Sequence, residues 1–252
     1  MPVRTGWALF AAILMAAPPA QAAQDDRRGE RQRMVANIAQ LAAAGAATGT
    51  GRARRLHPEV LLALRRTPRH LFVPADQQSR AYADGALSIG HEATISQPFI
   101  VALMTDLLRV GPGDKVLEVG TGSGYQAAIL SQLAGQVYSV EIVPELAERA
   151  AAQLKALGHR NVSVRAGDGY AGWPEHAPFD AIIVTAGATR IPEPLVRQLK
   201  PGGRLLIPVG PAKASQQLTL VRKDAAGRLR TERLLEVNFI PLVEPSSSRE
   251  AE

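Results

Sequence analysis

A short apolar strand, Lys115 to Val119, runs straight into Gly120-Thr121-Gly122-Ser123-Gly124, and a helical pattern follows from Tyr125. Glycines at alternate positions let the backbone come close to a ligand, and the helix start that follows has N–H groups to spare. Downstream, strands and helices alternate. Val137–Glu141, Val162–Arg165, Asp180–Val184 and Arg204–Pro208 read as strands, with helices over Pro144–Leu157 and around Glu193–Leu199. That order predicts an α/β chain with a doubly wound, Rossmann-like, mostly parallel sheet, whose ligand sits at the carboxyl edge of the strands. Gln217–Arg222 and Arg233–Val243 flank a turn at Ala225-Ala226-Gly227 and read as a terminal antiparallel pair.

Ahead of the core, residues 1–23 resemble an export signal, with Arg4, an apolar stretch from Ala8 to Ala17, and Ala20-Gln21-Ala22 as a small-x-small cleavage site. The stretch is too short to span a bilayer. An internal start at Met34 is the alternative. Residues 24–33 read as a charged linker or fraying helix, 34–97 as an N-terminal helical region, 98–243 as the core with its terminal strands, and 244–252 as a disordered tail. Within 34–97, Ala44 to Gly51 reads as a loop, a helix begins at Pro58, and Leu71-Phe72-Val73-Pro74 reads as extended. Charge is uneven. Residues 24–80 carry 11 arginines against 5 acidic residues, whereas 81–252 carry 17 basic against 18 acidic residues. The basic excess therefore belongs to the N-terminal region, where a solvated helical face is expected and a nucleic-acid or membrane contact is the sharper alternative.

The glycine spacing is Gly-x-Gly-x-Gly after Glu118, not the Gly-x-Gly-x-x-Gly of dinucleotide sites. Glu141 ends the next strand about 20 residues on, where a carboxylate can accept from both hydroxyls of a ribose. Gly167-Asp168-Gly169 ends the third strand, where an Asp can accept from an adenine amino group. A ligand without pyrophosphate fits this set, and S-adenosyl-L-methionine is the expected cofactor. The chain has no cysteine, which excludes carbon-5 pyrimidine methylation, disulfides and thiolate zinc sites. Thr185-Ala186-Gly187-Ala188 stands where amine-methylating enzymes carry Asn/Asp-Pro-Pro-aromatic. No carboxylate cluster or histidine spacing suits a metal, so none is expected.

Thr94-Ile95-Ser96-Gln97-Pro98 leads into a helix whose first-turn proline is Pro98. Ser96 lies just before that helix, so its hydroxyl and the free N–H groups of the first turn are expected to face one space, where a carboxylate is favoured; a plain N-cap serine is the competing reading. With Pro68-Arg69-His70-Leu71-Phe72-Val73-Pro74, the Leu117–Tyr125 run, Pro178–Ala186, Leu206–Gly210 and Val237–Leu242, this segment resembles the protein-L-isoaspartate (D-aspartate) O-methyltransferase family from about Met34 to Val243. The resemblance implies methyl esterification of L-isoaspartyl residues in damaged proteins, a repair activity, with Ser96 as the active-site serine. It implies cofactor contacts at Gly120, Gly122, Gly124, Glu141 and Asp168, and the adjoining Glu118, Thr121, Ser123 and Gly167 are expected to share in them. Substrate contacts are expected at Thr94, Ile95, Gln97, Val209 and Gly210. Partners are isoaspartyl proteins and peptides, with no nucleic acid and no membrane span, and a cytoplasmic monomer is expected with export as the alternative. A non-catalytic cofactor-binding module and an RNA methyltransferase are the competing functions.

Overall fold

The computed structural model describes residues 27–45, 53–212 and 214–243. The signal-like residues 1–23, residues 24–26 of the expected linker, most of the expected loop at 44–51 and the tail at 244–252 lie outside the described residues. The core is a seven-stranded sheet in the order β5-β4-β3-β6-β7-β8-β9. Its strands are β3 (Lys115–Val119), β4 (Gln136–Glu141), β5 (Val162–Ala166), β6 (Phe179–Val184), β7 (Leu199–Val209), β8 (Gln216–Lys223) and β9 (Leu229–Val237). The five strands from β5 to β7 pair in parallel, and β8 and β9 are antiparallel. The chain winds outward from β3 to β5, then crosses back to lay β6 on the other side of β3. This reversal opens a crevice at the carboxyl ends of β3 and β6. There Val119 is in register with Val140 of β4 and Val184 of β6, so the residues that follow share one edge.

The strands are apolar because both sheet faces are covered. Val116, Val137, Ile183 and Leu206 point into the larger core, under α1 (Arg28–Ala44), α2 (Pro58–Arg66) and α3 (Pro98–Leu108). Leu117, Val119, Ile182 and Leu205 point into the smaller core on the opposite face, with Leu195 of α6 (Glu193–Gln198). Prolines start α2, α3 and α5 (Pro144–Ala156) in the first turn, where the missing N–H costs nothing. In α5, Leu146, Ala147, Ala150 and Leu154 form one buried stripe, and the helix stops before Gly158 at φ +82°. α3 carries the buried Asp106, which accepts from Arg54 Nε at 2.8 Å and Nη2 at 2.6 Å and from the His57 N–H at 2.8 Å.

Several expectations are corrected. The linker reading of residues 24–33 fails from Arg28 onward, because Arg31, Met34, Val35 and Ile38 give α1 a buried face. Of the expected extended stretch Leu71-Phe72-Val73-Pro74, only Val73 and Pro74 are extended, since Arg69–Phe72 is a 3₁₀ turn that buries Arg69, His70 and Phe72. A two-stranded hairpin, β1 (Leu87–Gly90) with β2 (Ala93–Ile95), stands apart from the main sheet. The last strand ends at Val237, and the chain from Asn238 to Val243 leaves the sheet. Among the described residues no helix is long and apolar enough to cross a membrane, and no group of three or more His, Asp or Glu is placed to hold a metal ion.

Candidate active site

A cavity of about 400 Å³ lies at the crevice. Its floor is Val119, Gly120, Gly122, Val140, Glu141 and Gly169. Thr94 of β2 borders it, with Ser96 and Gln97 just after the hairpin, and the segment from Glu236 to Val243 forms a wall. That wall is pinned by the Gly187 N–H to Ile240 O at 2.8 Å, the Leu242 N–H to Gly187 O at 2.7 Å, and the Phe239 N–H to Gln216 Oε1 at 2.8 Å.

The glycine loop is shaped for close approach. Gly120 sits at φ +94°, and a Cβ there would lie 2.7 Å from Thr185 Oγ1. A Cβ on Gly169 would lie 2.6 Å from Val119 Cγ1. Gly122 at φ +51° brings its N–H to Glu141 Oε2 at 2.7 Å, while Glu141 Oε1 takes the Val143 N–H at 3.1 Å. Glu141 is thus held by two backbone donors at the cavity, with lone pairs left for ligand hydroxyls. Both the donor set and the glycine cradle fit a nucleoside-bearing cofactor.

Glu118 is placed differently from the expectation that it contacts the cofactor. Its side chain is fully buried on the larger-core face of β3, off the cavity lining. Ser139 Oγ donates to its Oε2 at 2.5 Å and meets Thr121 Oγ1 at 2.5 Å, while Oε1 has no partner. Burial pushes the Glu118 carboxyl up to about 8 against the Ser139 hydrogen bond, with the Glu141 charge adding to the rise.

Of the other expected contacts, Ser123 Oγ accepts the Tyr125 N–H at 3.2 Å, and Gly124, at φ +85°, backs onto Ala150 and Leu154. The Gly167 N–H donates to Glu141 O at 2.8 Å, and Asp168 Oδ1 accepts the Tyr170 N–H at 2.8 Å. None of these four lines the cavity, nor do Ile95, which is buried, or Val209 and Gly210 beyond the bridge to Ala188. The structure brings together Gly120, Gly122, Glu141, Thr94, Ser96 and Gln97. It adds His91, Glu92, Thr185 and the 236–243 wall, which sequence reasoning missed.

The start of α3 also differs from expectation. Gln97, not Ser96, is the N-cap residue, and Asp84 Oδ1 already takes the Phe99 N–H at 3.1 Å while Oδ2 takes Gln97 Nε2 at 2.8 Å. One N–H of the first turn is therefore already taken from within the fold. The Ser96 hydroxyl, by contrast, has no hydrogen-bond partner among the described residues and borders the cavity.

The Protein-L-isoaspartate(D-aspartate) O-methyltransferase family model matches residues 50–247. The chain belongs to that family. It is 52% identical to Protein-L-isoaspartate O-methyltransferase 1 of Cupriavidus necator over 236 residues, covering 93% of this chain and 90% of that relative. It is 60% identical to Protein-L-isoaspartate O-methyltransferase 2 of Syntrophobacter fumaroxidans over 187 residues, 74% of this chain and 76% of that one. A solved protein-L-isoaspartate O-methyltransferase superposes with a TM-score of 0.72 at 31% identity, covering 84% of this chain and 65% of its own. A Plasmodium falciparum structure described as a beta-aspartate methyltransferase in complex with S-adenosyl-L-homocysteine gives 0.71 at 23% identity over 85% of this chain, and shares the fold. The fold expected from the sequence, a Rossmann-like methyltransferase core, is the fold found.

Proposed function

We propose that this chain transfers the methyl group of S-adenosyl-L-methionine to the free carboxylate of L-isoaspartyl residues in damaged proteins and peptides, a repair activity. The observation that carries the reading is one cavity in which the glycine loop and Glu141 lie across from the unpartnered Ser96 hydroxyl. When bound, the donor supplies a methyl group on a sulfonium cation. Gly120 and Gly122 admit it to the strand edge, and Glu141 holds its ribose hydroxyls. Asp168, just past the end of β5, would accept from the adenine amino group with the carboxylate oxygen not used by the Tyr170 N–H. Ser96 donates to one oxygen of the acceptor carboxylate and so aims the other.

A carboxylate is ionised at neutral pH, so no side chain need act as a base. The rate then rests on positioning and on water exclusion by the 236–243 wall. β2 pairs only with β1 among the described strands, and its open edge at Ala93–Ile95 suits an extended peptide running past Thr94 to Gln97. Selection of isoaspartyl over aspartyl follows from the shape of that backbone.

The test is transfer of labelled methyl to matched isoaspartyl and aspartyl peptides. Base-labile label on the isoaspartyl peptide alone is expected. Donor binding with no label on either would leave a binding module, and label in RNA would make it an RNA methyltransferase. Donor supply supports the cytoplasm. Residues 1–23 favour export as the competing reading, and N-terminal sequencing decides: a mature start near Ala23 or Gln24 means export.

A further inference from the structure

We infer that Arg69 is a positioning residue that sets the acceptor segment against the donor loop, and that it supplies the buried positive charge nearest the bound carboxylate through the Ser96 peptide. The inference rests on the function proposed above. Among the described residues, the ionisable groups lining the cavity are His91, Glu92, Glu141 and Glu236, and no lining residue is Lys or Arg. An anionic acceptor therefore meets three carboxylates and no lining cation. Arg69 stands just behind the lining. It is completely buried, its Nη2 donates to Ser96 O at 2.8 Å, and its Nε donates to Ala81 O at 2.9 Å.

No carboxylate hydrogen-bonds to the guanidinium. Nη1 has no hydrogen bond, and the group lies 4.9 Å from the ring centre of Tyr125. Tyr125 opens α4 (Tyr125–Leu130) directly after Gly124, so one side chain touches both the acceptor segment and the end of the donor loop. Asp84 grips the same segment from the other side, through Gln97 Nε2 and the Phe99 N–H. With the fork buried and Nη1 unused, losing a bond it does make would leave a further donor unmet, so Nε and Nη2 hold the Ala81 and Ser96 carbonyls firmly.

The test compares Arg69→Met, Arg69→Lys and Asp84→Asn with the wild type in the full chain. The readouts are kcat and KM for an isoaspartyl peptide and the Kd of S-adenosyl-L-homocysteine by calorimetry. For Arg69→Met, kcat/KM is expected to fall by about 30-fold or more, the loss of a charge-assisted contact, with Kd within about threefold of wild type. Arg69→Lys keeps the charge and loses the fork, so it falls between the two. Asp84→Asn reproduces the split and carries the test with Arg69→Lys if Arg69→Met does not fold. Folded variants with kcat/KM within about threefold of wild type, or with acceptor and donor binding lost in equal proportion, would overturn the inference. Absence of transfer by the wild type would instead overturn the function beneath it.

Discussion

Replacing Glu118 by Gln should change how the protein's stability depends on pH. Glu118 is fully buried, accepts one hydrogen bond from Ser139, and leaves Oε1 without a partner. Burial raises its carboxyl from 4.5 to about 8, so the folded state holds a proton that the unfolded chain gives up. Stability from that difference is complete below about pH 4.5 and is lost as pH rises towards about 8. At about 1.4 kcal/mol per pH unit over that interval, the loss amounts to about 5 kcal/mol. This is a large share of the total for a domain holding about 5–15 kcal/mol. Glutamine keeps the acceptor for Ser139 and places its amide where Oε1 already stands alone, so its penalty stays constant with pH. Urea unfolding of both proteins at intervals from pH 4 to 9 gives the comparison. The variant is expected to gain on the wild type steadily as pH rises, most steeply between about pH 5 and 8. Two stability curves that stay parallel across the range would refute the buried, protonated Glu118.

Gly120→Ala combines a φ of +94° with a Cβ only 2.7 Å from Thr185 Oγ1, which is itself bonded to Val119 O and Gly120 O. It is expected to cost about 2–4 kcal/mol and lower Tm by about 5–10 °C in calorimetry. Gly122→Ala meets nothing nearer than Ile89 Cδ1 at 3.5 Å, and its stability cost should stay near 1 kcal/mol, about the left-handed backbone penalty alone. Ser96→Ala removes a hydroxyl with no internal partner, so stability should hold within about 0.5 kcal/mol. Its kcat/KM for an isoaspartyl peptide should fall about 10- to 150-fold, the value of a hydrogen bond to a charged group; full turnover would reduce Ser96 to a structural residue.

The features legible in the sequence were those with a local signature. Buried parallel strands are short apolar runs, so β3 and β6 were readable, and glycines that must adopt positive φ marked the turn after β3. Glu141 followed from strand spacing. The β1–β2 hairpin was not legible. Its turn places His91 and Glu92 at φ +52° and +55°, positions where Asn or Gly gives the usual signal. Tertiary packing holds that conformation, and no pattern of neighbours announces it. The same holds for Asp84 and Arg69. Asp84 satisfies the start of α3 from 15 residues upstream of Phe99, and Arg69 reaches Ser96 across 27 residues. Periodicity alone also carried the last strand too far, because Phe239, Ile240 and Leu242 are apolar as cavity wall, not as sheet.

That wall has a consequence for the order in which the molecule is made. Every strand of the sheet precedes Asn238 in the chain, yet the cavity gains its final side only when Gly187 captures Ile240 and Leu242. A refolding chain can therefore pair its whole sheet while the donor's berth still lies open to water. Such a state is folded before it is competent, and the backbone bonds between Gly187 and the segment around Ile240 and Leu242 are what separate the two.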